Sequence, residues 1–470
     1  MQNTSASTSL TYRVQTRAAG ANTRASKWAA GMLILGTIVF NAALCFVNTR
    51  GVPVSASLVM LSEAMLISGA FLACWRYLTS MQMAALGLIV LYTVFLTTIR
   101  YVDAPGLGFD PKISRDLLIP VVFFLLGKAV DDVRLADRLV LIATVLLLAF
   151  ALFEYFALDG FLRVFDVARY YFARGTLDAS NAGLALDQGH GVSEGLMVSG
   201  FRPSDQGRAL LPFLGDHRVS SLFLEPSTLG NFGFLVTIWA AVRSRMEGRL
   251  YVLCALGGLA LIILSDTRFN AYSLVLVAPI LMLPARLASP AAFISPFVIM
   301  LALWVFGATV GSFHGAPLLE GRGTYDRLLY SGSLLSSFDI YNWFGLEQSR
   351  SQTFDSGYAY LMSTVGIVGF TLLWTLFMSL RGSNRFFYAF RNAIAVYFAT
   401  LLCISASPFT IKLAAMLWFL LGALSVAKEN RHPRALARDL LNSSLAKAED
   451  LWSPSPATRP TNMVLVKSIS

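Results

Sequence analysis

The feature that most constrains this chain is a succession of apolar runs, most of them long enough to cross a bilayer as a helix. They lie at roughly 29–47, 53–75, 81–99, 116–130, 139–158, 222–242, 250–265, 270–288, 291–311, 356–380, 387–407 and 409–427. A barrel strand needs only about ten residues of alternating character. The expected fold is therefore an all-α integral membrane protein of about twelve transmembrane helices. Charged residues make up only 14% of the chain and mean hydropathy is +0.62, whereas a soluble domain carries about a quarter charged residues. The fourth run is short, with Arg115-Asp116 at its edge.

Charge gives the orientation. Residues 1–28 are polar and contain Arg13, Arg17, Arg24 and Lys27; they are expected to be a disordered cytoplasmic tail before an uncleaved first helix. Threading the runs from that tail places Arg76, Lys128, Arg134, Arg138, Arg243, Arg245, Arg249, Arg286, Arg381 and Arg385 in or beside short connections on one side. The basic tail 428–470 joins them. Short basic loops are cytoplasmic, so a membrane domain spanning 29–427 would have both termini inside. The other side receives two long segments, 159–221 and 312–355, and loops of that length usually have a function. The first opens with "FLRVFDVARYYFARG". Phe161, Phe165, Ala168 and Phe172 recur there at helical spacing among Arg163, Asp166, Arg169 and Arg174, which predicts an amphipathic helix on the outer boundary.

Several chemistries find no support. Cys45, Cys74, Cys254 and Cys403 all lie in apolar runs and read as buried hydrophobes. His190, His217, His314 and His432 lack the spacing of a metal site. The net charge of +10 follows the cytoplasmic loops rather than a nucleic-acid surface. Neither a cofactor nor a metal is expected.

Charge also collects at the outer rim. In "RVSSLFLEPSTLGNFGF" (218–234), Arg218 and Glu225 stand where an inward-running helix begins, with Pro226 suited to a first helical position. "LSDTRFNAYS" (264–273) places Asp266 and Arg268 at the start of another such helix, and "FDSGYAYLMSTVGIVGF" (354–370) places Asp355 at a third. "EGRGTYDRLLYSG" (320–332) adds Arg322 and Arg327. Helix N-termini carry free N–H groups and a positive dipole end, and an arginine fork binds phosphate bidentately. Singly, each residue has a plainer role. Arg218 and Arg268 could snorkel, Asp355 could cap its helix, Glu225 could pair with Arg218, and His217 and His314 could be solvated. Glu63 and Glu154 lie within spans; Glu63, the deeper, could pair with a polar neighbour or line a path.

These segments resemble bacterial polysaccharide polymerases of the Wzy type and the related O-antigen ligases. "RVSSLFLEPSTLGN" is similar to the polymerases' arginine-initiated segment, nearest to those of xanthan and acetan type. "LSDTR" resembles their inter-helix turn, and "GRGTYDRLLY" with "FGLEQSRSQTFDSGYAYLMSTVGIVGF" resembles their outer loop and following helix. The resemblance implies a GT-C-like glycosyltransferase of the bacterial inner membrane. It would join undecaprenyl-diphosphate-linked oligosaccharide repeat units into exopolysaccharide on the periplasmic face, alongside membrane lipids, a flippase and a chain-length regulator or export complex. On that footing Arg268 and Arg322, with Arg218 and Arg327, would bind diphosphate. Asp355 would be the general base, with Glu225 the next candidate for that role; otherwise Arg218 and Glu225 would orient the second substrate or support the arginines. In the ligases the position of Asp355 is usually histidine, so this chain is more like the polymerases there, which weakens the ligase reading without excluding it. A ligase, a lipid-linked oligosaccharide transporter and a purely structural membrane component are the rival readings. A transporter would place its charges near the midplane in repeated halves, and no repeat is visible.

Overall fold

The computed structural model describes residues 5–103, 111–175, 200, 208, 210–248, 251–310, 324–346 and 356–427. Among them the only regular structure is helical. In chain order the helices are α1 (Ser5–Thr49), α2 (Ala56–Cys74), α3 (Ser80–Asp103), α4 (Pro111–Val130), α5 (Val133–Phe156), α6 (Leu158–Val164), α7 (Val167–Ala173) and α8 (Pro226–Glu247). Then come α9 (Val252–Leu264), α10 (Arg268–Met282), α11 (Ala285–Val310), α12 (Thr324–Ser337), α13 (Ile340–Phe344), α14 (Gly357–Ser379), α15 (Arg385–Leu401) and α16 (Ile411–Val426). Among the described residues, six stretches are long and apolar enough to cross a membrane unaided: 27–49, 56–77, 80–102, 133–156, 285–310 and 357–379. Three shorter apolar helices, α9, α10 and α16, accompany them. This is the architecture of an all-α membrane protein. The remaining apolar runs, α4, α8 and α15, carry charges such as Asp116, Arg243 and Arg391, which are buried and partnered inside the protein.

Burial follows composition. Helix α16 is buried along almost its whole length, and α8 nearly so, so both sit at the centre. Helix α3 leaves Leu88, Leu91, Phe95 and Val102 exposed, as a helix at a lipid-facing edge would. Small residues bring the central helices together. Gly127 of α4 and Gly422 of α16 each lie against the other helix's backbone with no room for a Cβ, and Gly233 and Gly258 do the same for α8 and α9.

Successive helices alternate in direction. At one end Lys27 pairs with Asp132 at 2.8 Å, Arg243 pairs with Asp137 at 2.6 Å, and Asn384 donates to the carbonyls of Leu424 and Ala427. This is the end where the short basic connections gather. At the other, Thr49 Oγ1 accepts from the Asp166 N–H, Glu154 holds residues 220–221, and Lys412 meets Glu225.

Two expectations need correction. Helix α1 begins at Ser5, although composition predicts a disordered tail there. The run "RAAGANTRASKWAAG" holds several good helix formers, and extending a helix already nucleated by the apolar run avoids the nucleation cost. The amphipathic helix expected over 161–172 is two short helices. Asp166 interrupts it and caps α7, accepting from the Arg169 N–H at 3.0 Å. The buried set becomes Phe161, Phe165, Val167, Tyr170 and Tyr171, while Phe172 points outward.

Candidate functional site

The segment before α8 is built around Glu154. This carboxylate, fully buried at the end of α5, accepts from the N–H groups of Ser220 and Ser221 and from Ser220 Oγ, and His217 Nε2 lies 3.1 Å from it. It thereby holds a tight turn at Ser221–Phe223, in which Ser221 and Leu224 both adopt positive φ. The turn delivers Glu225 to the start of α8, with Pro226 as the first helical residue. Glu154 is thus a structural anchor, and His217 is its partner rather than a solvated loop residue.

Glu225 occupies the N-cap position without capping, since its side chain is engaged elsewhere. Lys412 Nζ donates to Oε1 at 3.0 Å, Tyr171 Oη donates to the same oxygen at 2.7 Å, and Thr228 Oγ1 donates to Oε2 at 2.8 Å. Its ion-pair partner is Lys412, not Arg218 as a rim pair would have it. Lys412 also donates to the Phe223 carbonyl at 3.1 Å. Burial, with Glu225 alongside, pushes the Tyr171 phenol well above the usual tyrosine range. Burial likewise pushes Tyr170 up to about 12, and its hydroxyl donates to Asn41 at 2.6 Å. Both phenols remain donors.

Beside this group lies a second one. Arg115 on α4 pairs with Glu63 on α2 and donates to Asp116 at 2.8 Å. Tyr360, in the first turn of α14, donates to Asp116 at 2.6 Å, and Lys112 stands 5.1 Å from the centre of its ring. Arg174, just after α7, faces the Tyr171 ring at 5.7 Å and lies within electrostatic range of both Glu225 and Glu63.

The resemblance-bearing motifs also meet. Arg218 Nε donates to the Ser265 carbonyl at 3.2 Å, and the Val219 N–H donates to that of Leu264. Gly230 packs so closely on Thr267 that a Cβ would collide with its side chain. One residue on, Asn231 accepts from Asn270 Nδ2 at 3.0 Å and donates to Ser407 Oγ at 2.8 Å, with Tyr397 Oη 2.9 Å from both asparagine oxygens. Asp266, fully buried with φ +45°, accepts from the Leu210 N–H. Arg268 is the first residue of α10, and half-buried. Arg208 binds the carbonyls of His217, Ile263 and Leu264.

The expected site residues therefore divide into three sets. Arg218 joins the turn that ends at Arg268, and Glu225 joins Lys412. Arg327 lies in the first turn of α12, half-buried. Asp355 and Arg322 lie outside the described residues. The cap suggested for Asp355 belongs to Ser356, whose hydroxyl accepts from the Ala359 N–H at 3.3 Å.

Sequence reading passed over Lys412, Tyr171 and the arginine at 174 as site members. Lys412 carried a signal: it is a lone cation at the second position of "IKLAAMLWFLLGALSV", and an ionisable residue inside an apolar run asks for a partner. Arg208 gave none, because its partners are carbonyls distant in sequence.

The N-terminal ends of α4, α8, α10, α14 and α16 thus lie toward one end of the bundle, with basic side chains among them. Such a site is suited to hold phosphoryl anions. No protein-family model, curated protein or solved structure matches the chain.

Proposed function

We propose that the protein is a polysaccharide polymerase of the bacterial inner membrane. It would have twelve spans, both termini cytoplasmic, and the Glu225–Lys412 end facing the periplasm. Its substrates are oligosaccharide repeat units on undecaprenyl diphosphate. The terminal sugar hydroxyl of one unit attacks the anomeric carbon of the glycan carried by the other. The glycosidic C–O bond forms as the bond to the diphosphate breaks, and the leaving electron pair stays on the diphosphate. Arg268 and Arg322 neutralise that growing charge, with Arg218 and Arg327 beside them. Asp355 takes the hydroxyl proton. Glu225 is a poorer base, because Lys412, Tyr171 and Thr228 already engage both its oxygens; it positions Lys412.

The observation that carries this reading is the gathering of inward-running helix N-termini and cations at one end. A carrier would place its charges at mid-depth. The break at mid-depth in α14 offers no open polar site, since Arg100 and Tyr92 take the carbonyls freed there. The test is deletion in the parent bacterium. Loss of polymer with single lipid-linked units accumulating on the periplasmic face supports a polymerase. Retention of those units on the cytoplasmic face would make it a flippase.

A further inference from the structure

The cluster around Arg174 is not a closed salt-bridge network. Arg174 has no carboxylate within ion-pair distance among the described residues, and its Nη1 is fully buried without a hydrogen-bond partner. A buried donor left unmade is costly, and more so on a charged group. Lys412 uses two of its three N–H donors, on Glu225 and the Phe223 carbonyl. Among the described residues, Arg115, Arg174 and Lys412 stand with the carboxylates Glu63, Asp116 and Glu225 in this cluster. The Glu225 side chain keeps 28% of its surface accessible, so one side of it is left uncovered by protein. Arg115, Arg174 and Lys412 lie on α4, just after α7 and on α16, whereas Arg218 bonds to the turn between α9 and α10 that ends at Arg268.

We propose that Arg174, Lys412 and Arg115 form a second anion site, which takes the diphosphate headgroup of a second lipid-linked substrate. The assignment rests on the polymerase reading, in which two lipid-linked chains must be held at once. Two diphosphates repel each other, so each needs its own cations. Arg174 supplies a fork already preorganised on the Tyr171 ring, and Glu63 holds Arg115 in place. The headgroup completes the hydrogen bonding that the protein leaves open.

The test uses the full chain in nanodiscs of zwitterionic lipid, titrated calorimetrically with geranylgeranyl diphosphate. The wild type binds two equivalents. Arg174→Gln loses one or weakens it at least about tenfold, the scale of a lost charge-assisted contact. Adding Arg268→Gln removes the other. Arg169→Gln, at an exposed arginine on the adjoining helix α7, retains both. Arg174→Lys controls for folding: it keeps the wild-type melting temperature and still binds more weakly. Two unweakened equivalents in Arg174→Gln, or a single equivalent in the wild type, would overturn the second site. Equal affinity for inorganic pyrophosphate would make the ligand a soluble anion and overturn the lipid assignment. The polymerase reading fails separately, when both equivalents bind but lipid-linked repeat units yield no chain growth.

Discussion

Removing one member of a buried ion pair leaves the other charge without a partner, and that asymmetry makes Glu225 and Lys412 testable. Lys412→Met strands Glu225, and Glu225→Gln strands Lys412, whose residue exposure is only 5%. Either change should destabilise the protein by about 3 kcal/mol. The double variant should cost clearly less than the two singles combined, as thermal unfolding in nanodiscs would show; strict additivity would mean that the pair is not coupled. Arg268 makes a different demand. If it holds diphosphate, its fork matters as much as its charge, so Arg268→Lys should lower polymer yield at least about tenfold at equal expression. A near wild-type yield would return Arg268 to the role of an interfacial cation. These roles were unequally legible. Arg268 stood at a helix start in the sequence, and Lys412 announced itself as a charge in an apolar run. Glu154 could not declare its role, because its partners are the backbone N–H groups of Ser220 and Ser221, far along the chain.

Helix α14 is broken at Gly366, whose φ of +68° and ψ of 172° lie in a region essentially confined to glycine. The preceding turn leaves carbonyls unpaired. Arg100 donates to those of Ser363 at 2.9 Å and Thr364 at 2.6 Å, and Tyr92 donates to that of Val365 at 2.7 Å. The turn after α13 fills the break: Gly345, at φ +72°, lies directly against Gly366, and its carbonyl accepts from Arg100 Nε at 2.8 Å. Gly366→Ala should therefore destabilise by about 2 kcal/mol or more through strain alone. Arg100→Met should cost a similar amount by leaving buried carbonyls unmet. Unchanged melting temperatures for both variants would contradict this account of the break. The run of apolar residues foretold helix α14 but not its interruption, since Arg100 lies more than two hundred residues from its partners. The 161–172 segment failed in another way. Its phenylalanine spacing continues through Asp166, yet that side chain caps a new helix, and the buried face rotates to Tyr170 and Tyr171. At the element level, apolar length and period were readable, whereas breaks set by single polar side chains were not.

Across the whole molecule, alternating helix direction gathers the short basic connections at one end and the Glu225–Lys412 cluster at the other. Both Ser337, in α12, and Arg381, after α14, are exposed. The four native cysteines are buried, so they give little background labelling. Ser337→Cys should react with an impermeant thiol reagent in cells with a permeabilised outer membrane, and Arg381→Cys should not; the reverse would invert the protein in the membrane. The twelve apolar runs and their alternation were plain from residue pattern and loop charge. The convergence of α4 and α16 with α8 was not, because it depends on glycines such as Gly127 and Gly422 that let the helices close together. The central claim is that this outer end joins two lipid-linked glycans with Asp355 as the base. It is tested most directly by giving the purified protein undecaprenyl-diphosphate-linked repeat units and resolving the products by length. The wild type should build a ladder of multiple repeats, and Asp355→Asn should lose about a hundredfold or more of that rate while keeping its melting temperature, because Ser356 supplies the helix cap. A wild-type protein that makes no ladder, or an Asp355→Asn variant that makes a normal one, would contradict the account.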